Sequence, residues 1–262
     1  MGANVDEVIQ SRLPAKLPTV RSELDTLFKQ RGDILKSQLT FKNCGMTFRQ
    51  FKDSDDFVKN YPLAPYQFQL VQKIFEAIRK AGATGMHLAR GERSMLDDFQ
   101  SAAVASSMSE VGILVPLYAF YPSIESFLDT VVKKTIEQAE SNTSLEPFDV
   151  MLLRVLFLIR YVDEMQGNVD NLVTLCLDRI DGDRLALRCR IGASLGRLEK
   201  ETLISRSGDT YAFLTNEERN INKEIKQVDL SSGDESRLQG DLIFEEVLRG
   251  PPTNAFKSHG PR

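Results

Sequence analysis

Between two apolar, helix-like stretches lies a turn, residues 82–94, in which Gly82, Gly85 and Gly91 space three polar groups, His87, Arg90 and Arg93. A guanidinium presents a rigid fork of donors that can hold phosphate or carboxylate oxygens through two parallel hydrogen bonds. Three readings of this HLARGERS segment are open. Arg90 or Arg93 pairs with Glu92 or Asp97 in a structural turn that ends a helix. Alternatively, one of them reaches into a neighbouring nucleotide site, or the cluster touches nucleic acid. His87 reads first as a structural histidine.

Other chemistry is sparse. A phosphate-cradling loop needs G-x-x-x-x-G-K-[ST], and GATGMHLARG lacks the closing Lys-Ser/Thr. The acidic pairs Asp55/Asp56 and Asp97/Asp98 read as surface charge, and Ser, His and Asp fall into no triad order. Cys44, Cys176 and Cys189 show no CxxC spacing, and the two histidines, His87 and His259, supply no zinc-ligand set. An odd cysteine count without a disulfide framework suits a reducing compartment.

A second basic cluster lies further on: Arg184, Arg188, Arg190, Arg197 and Arg206 fall on a predicted helix and the hairpin after it. In a DNA-reading winged helix such a helix enters the major groove and the wing touches the backbone. Yet residues 145–229 hold 12 Lys/Arg against 15 Asp/Glu, a net charge of −3. Phosphate binding draws on uncompensated positive charge. These arginines therefore read first as the solvated face of a protein-contact domain, with DNA contact as the second reading.

The whole chain is near balance, with 33 basic and 37 acidic residues, a net charge of −4 and a pI near 5.4. Its 262 residues suffice for two modest domains, and its 42% hydrophobic and 27% charged residues are ordinary for a globular protein. MGANVDEVIQ has no signal-peptide character, and Asp6 stands where a myristoylation site needs Ser or Thr. Arg154 and Arg160 interrupt the most apolar stretch, MLLRVLFLIRYV, so no membrane span is expected. The expectation is a soluble, cytoplasmic protein.

The elements that must position these groups are mainly helical. Val5, Val8, Ile9 and Leu13 keep a 3.6-residue spacing up to Pro14 and Pro18, and Leu24, Leu27, Phe28, Ile34 and Leu35 resume it. Residues 41–60 suggest a connector with a short helix. Phe68, Val71, Ile74, Phe75 and Ile78 predict one face of an amphipathic helix after Pro62 and Pro65. Met95, Leu96, Phe99 and Val104 mark the next helix, and another is expected from Ser123 to Glu140.

SNTSLEP (141–147) reads as a linker. Beyond it come an apolar helix from Val150 to Met165, a short one capped by Asn168, and a third near Arg184–Glu199 with Leu187, Ile191, Leu195 and Leu198 inward. LISRSGDTYAFLT predicts two strands around a Ser-Gly-Asp turn, with Leu203, Ile204, Tyr211 and Phe213 closing over the core. Thr215 and Glu218 stand at capping-box spacing before a closing helix. Three helices and a hairpin is the order of a winged helix-turn-helix.

The strings YPLAPYQFQLVQKIF, HLARGERSMLDDFQSAA, VLFLIRYV and SLGRLEKETLISRSGDTYAFLTNEE resemble the BrxC/PglY family from about Val5 to Leu230. These are the large P-loop ATPases of bacteriophage exclusion (BREX) and phage growth limitation systems. In that family the Walker motifs precede this segment, which resembles a helical lid and winged helix after a AAA+-type core. The resemblance makes Arg93 and Arg90 candidate nucleotide-sensing residues, although their spacing about Gly91 departs from the usual lid motif. The resemblance also implies ATP and Mg²⁺ as cofactors of the full-length family, the missing core and other defence proteins as partners, and a homo-oligomer as one open form of the full-length protein. RGPPTNAFKSHGPR does not look like the start of a further domain. A fragment or a truncated reading frame would account for both ends.

The expected fold is mainly α: a lid-like helical domain (1–143), a winged helix-turn-helix with a small hairpin wing (148–230) and a disordered tail (231–262). The expected function is part of a phage-defence ATPase that couples nucleotide state to partner or DNA engagement, with no ATPase activity of its own. The rival is a stand-alone winged-helix DNA-binding transcriptional regulator.

Overall fold

The computed structural model describes residues 16–82, 99–104, 110–125, 128 and 130–227. The HLARGERS turn, the helix expected at residues 5–13 and the tail 231–262 lie outside them. The chain divides into two compact units, Met1–Arg219 and Asn220–Arg262.

The first unit is mainly helical with a small antiparallel hairpin. Pro18 does not stop a helix but opens one, α1 (Pro18–Gln38), because a first-turn position needs no N–H donor. The short helix expected within 41–60 is α2 (Ser54–Asn60), where Asp53 accepts the N–H of Asp56. Phe28 of α1 stacks on Phe57 of α2, and Phe51 meets both rings edge-on.

In α3 (Pro65–Lys80) all five expected apolar positions are buried, and Gly82 follows the helix at φ +67°. Gln67, fully buried, accepts the N–H of Ala64 and donates to the carbonyl of Val115. One side chain thus caps α3 and fixes the segment leading to a 3₁₀ turn (Leu117–Phe120). Residues 99–104 are helical, with Phe99 packed on Phe68 and Phe120. In place of the single helix expected from Ser123 to Glu140 the structure describes α4 (Tyr121–Glu125) and α5 (Thr130–Glu140).

After the expected linker come α6 (Pro147–Ile159), α7 (Val169–Leu175) and α8 (Arg184–Lys200). Asn168 caps α7 through the N–H of Asn171, and Asp183 caps α8 through Leu185 and Ala186. α6 ends at Ile159, six residues before the expected Met165. The C-cap residue, Arg160, keeps helical backbone angles, and its guanidinium forms two hydrogen bonds with Glu218, 2.7 and 2.9 Å long, and one with the carbonyl of Phe213.

The hairpin is β1 (Ile204–Ser207) and β2 (Thr210–Phe213), in the register Ile204↔Phe213 to Ser207↔Thr210. Gly208 supplies the positive φ, +58°, that this two-residue loop requires. Asn168 adds an antiparallel bridge to Thr210, and the N–H of Tyr211 donates to the carbonyl of Gly167 at 3.0 Å. The segment between α6 and α7 therefore pairs with β2. The closing helix, α9 (Asn216–Gln227), starts with the expected reciprocal cap, Glu218 accepting the N–H of Thr215. The second unit's described part, residues 220–227, is the rest of this helix.

The buried apolar residues of the first unit form one cluster that includes Phe68, Phe120, Leu156, Ile191 and Phe213, from both sides of the expected linker. Phe157 is its hub in the C-terminal half, touching Tyr121, Tyr161 and Phe213 edge-on. Among the described residues, no helix is long and apolar enough to cross a membrane.

Candidate functional site

α8 is the element on which the sequence places most of its candidate contacts, and its arginines divide by what holds them. Arg184, in the first turn, points inward. It donates to the carbonyl of Gln38 at the end of α1, 2.6 Å away, and to the hydroxyl of Thr174 at 3.3 Å. A guanidinium there satisfies a helix-end carbonyl and the negative end of the α1 dipole. Arg197, in the last turn, is bound to Asp149 and Glu146 of the α6 start. Both link helices within the unit.

Arg188, Arg190 and Arg206 are more exposed. Arg188 pairs with Asp170, which also takes Lys42 at 3.0 Å. Lys42 first, then Arg188, hold this carboxyl below the usual range. Arg206 donates to the carbonyl of Gly208 and lies over the ring of Tyr211. Arg190 is the exception: its guanidinium sits 4.0 Å above the ring of Phe148, and no carboxylate among the described residues pairs with it. Four of the five arginines are therefore tied to an oxygen acceptor of the chain itself.

Between these arginines the outward surface of α8 is short and apolar. Leu185, Ala186, Cys189, Gly192, Ala193 and Gly196 are exposed, Leu185 by 70%. A helix that reads base edges needs donors and acceptors long enough to reach them, and these six residues offer none. Ile191, Leu195 and Leu198 face the core as expected, whereas Leu187 is only partly buried. Leu187 instead walls a cleft of about 460 Å³, together with Tyr118, Phe148, Met151, Asp178 and Arg190.

The structure brings Arg188, Arg190 and the outward face of α8 together, and turns Arg184 and Arg197 away to other duties. Arg90 and Arg93 lie outside the described residues. Two groups escaped sequence reasoning. Asp149 is fully buried beneath Arg197, and Arg160 clasps Glu218 while lying over the rings of Tyr161 and Phe213. The only signal for Arg160 is a charge inside an apolar run. Among the described residues no three His, Cys, Asp or Glu side chains gather as metal ligands.

No family model matches the chain, and no solved structure matches it.

Proposed function

We propose that this chain is the part of a BREX-type P-loop ATPase that follows the nucleotide-binding core, and that its winged helix engages a partner protein. The family rests on the resemblance of its long strings, from YPLAPYQFQLVQKIF to the SLGRLEKETLISRSGDTYAFLTNEE segment. The winged-helix reading draws support from the order α6, α7, α8, hairpin, and from the pairing of Gly167 and Asn168 with β2.

The observation that carries partner engagement over base reading is the outward face of α8. It combines apolar residues, all small but Leu185, with Arg188, which Asp170 already holds, and Arg190, which lies on the Phe148 ring. With a net charge of −3 over residues 145–229, the domain offers duplex DNA little uncompensated charge. In this reading ATP and Mg²⁺ belong to the core, and Arg93, with Arg90 second, senses nucleotide from the lid.

The experiment joins the chain to the P-loop core of a BrxC/PglY-family ATPase and measures ATP turnover with and without the lid and winged helix. Turnover that depends on this chain and falls at least tenfold in Arg93→Ala supports the reading. Turnover indifferent to the chain overturns it.

A further inference from the structure

The cleft beside α8 has the composition of a receptor for one particular kind of side chain. Its walls are apolar: Phe148 and Met151 from α6, Leu177 after α7, and Leu187 from α8. Clefts of a few hundred Å³ with apolar walls and a few convergent polar groups are the usual shape of binding sites. Here the polar and charged residues of the lining are Tyr118, Asp178, Asp183 and Arg190.

These groups differ in what already occupies them. Asp183 spends one oxygen on the N-terminus of α8, and Arg190 is parked on the Phe148 ring. The Asp178 side chain is exposed, and its carboxylate makes no hydrogen bond or ion pair among the described residues. Its backbone carbonyl is held by the N–H of Leu114 at 2.8 Å, so the position of the residue is fixed. Burial, then Asp178, raise the Tyr118 hydroxyl to about 12, which keeps it a neutral donor at the rim. Two carboxylates against one guanidinium leave the lining net negative. The exposed Ala186 of α8 also lines the cleft.

We infer that this cleft receives a basic and apolar segment of a partner protein, with a bulky apolar side chain seated between Phe148, Met151 and Leu187 and a neighbouring Lys or Arg on Asp178. Charge complementarity selects this occupant: an acidic segment would meet Asp178 and Asp183, and a purely apolar one would leave Asp178 unpaired beneath it. The inference rests on the reading of α8 as a protein-contact face and adds the chemistry of what it contacts.

The test needs only this chain, so its failure is separable from failure of the ATPase assignment. The full chain carries ¹³C-methyl methionine, with the Met151 signal assigned through Met151→Leu. The probe is 4-phenylbutylamine, compared with 4-phenylbutanol and 4-phenylbutyrate. A saturable shift of the Met151 methyl with the amine is expected, at least tenfold tighter than with the carboxylate. Asp178→Asn should reduce amine affinity about fivefold, to that of the alcohol, and Ala186→Trp, at an exposed helical position, should abolish the shift. A shift that does not saturate, equal binding of amine and carboxylate, or an amine preference that survives Asp178→Asn would each overturn the inference.

Discussion

Arg197 grips Asp149 through two parallel hydrogen bonds, Nε to Oδ2 at 2.7 Å and Nη2 to Oδ1 at 2.8 Å. Asp149 is fully buried and also accepts the N–H of Glu146, so one carboxylate caps α6 and holds α8 against it. Burial by itself would raise this carboxyl. The Arg197 hydrogen bonds and the Glu146 N–H outweigh it, and the pKa lies below the usual value.

Arg197→Ala leaves that carboxylate buried and unpaired, and should cost about 3 kcal/mol in urea unfolding. A loss under about 1 kcal/mol, the size of an exposed pair, would show that the pair does not hold the helices. The pH dependence carries a sign as well. In the native chain the carboxyl's contribution is complete above the unfolded pKa, about 4, and is lost as pH falls through the lower folded value. In Arg197→Ala burial dominates and the folded pKa rises. The Asp149 contribution should then reverse in slope, with stability declining as pH rises through the raised pKa.

Gly167 makes a second test of the same subdomain. A Cβ there would lie 2.3 Å from the carbonyl oxygen of Tyr211, a backbone atom that cannot swing away. Gly167→Ala must therefore push β2 from the α6–α7 segment and break the 3.0 Å bond to Tyr211 N–H. The expected cost is about 2–4 kcal/mol, read as a lower melting temperature with early loss of hairpin amide protection. Unchanged stability would mean that the hairpin is not docked through this bond.

Much of this subdomain was legible because its signals are local. Asn168 before α7, Ser-Gly-Asp between the strands and Thr215 three residues before Glu218 each act within four residues of chain. The end of α6 was not legible, because Tyr161, Val162 and Met165 prolong the apolar pattern beyond Ile159 and no Gly or Pro between Arg160 and Met165 marks the stop. Nor could residue type separate Arg184 and Arg197, held by Gln38 and Asp149 at separations of 146 and 48 residues, from Arg190, which no carboxylate among the described residues holds. Gly167 reads as part of a turn until the carbonyl of Tyr211 is placed beside it.

Duplex DNA should bind weakly and without sequence preference, with Kd around 10⁻⁴ to 10⁻⁶ M near physiological salt. The reason is electrostatic: Asp149 and Asp170 offset Arg197 and Arg188, Arg184 and Arg206 are spent on backbone carbonyls, and residues 145–229 are net negative. Fluorescence anisotropy across a salt series checks this. Nanomolar, sequence-selective binding would favour the stand-alone DNA-binding regulator instead.

Gly192 and Gly196 lie mid-helix on the exposed side of α8, and a Cβ added at either would meet no atom of the described residues within 4 Å. Neither has a positive φ, so each only weakens the helix, by about 0.5–1 kcal/mol relative to alanine. Gly192→Ala with Gly196→Ala should accordingly raise the stability of the isolated chain by about 1–2 kcal/mol. A docked partner changes the outcome elsewhere, because glycine lets another backbone approach where a methyl group would hold it off. In the protein joined to its P-loop core, the stabilised double variant should lose the part of ATP turnover that depends on this chain. Stability gained with turnover unchanged would remove the α8 face from the contact, and stability lost would mean that the face is already covered within the chain.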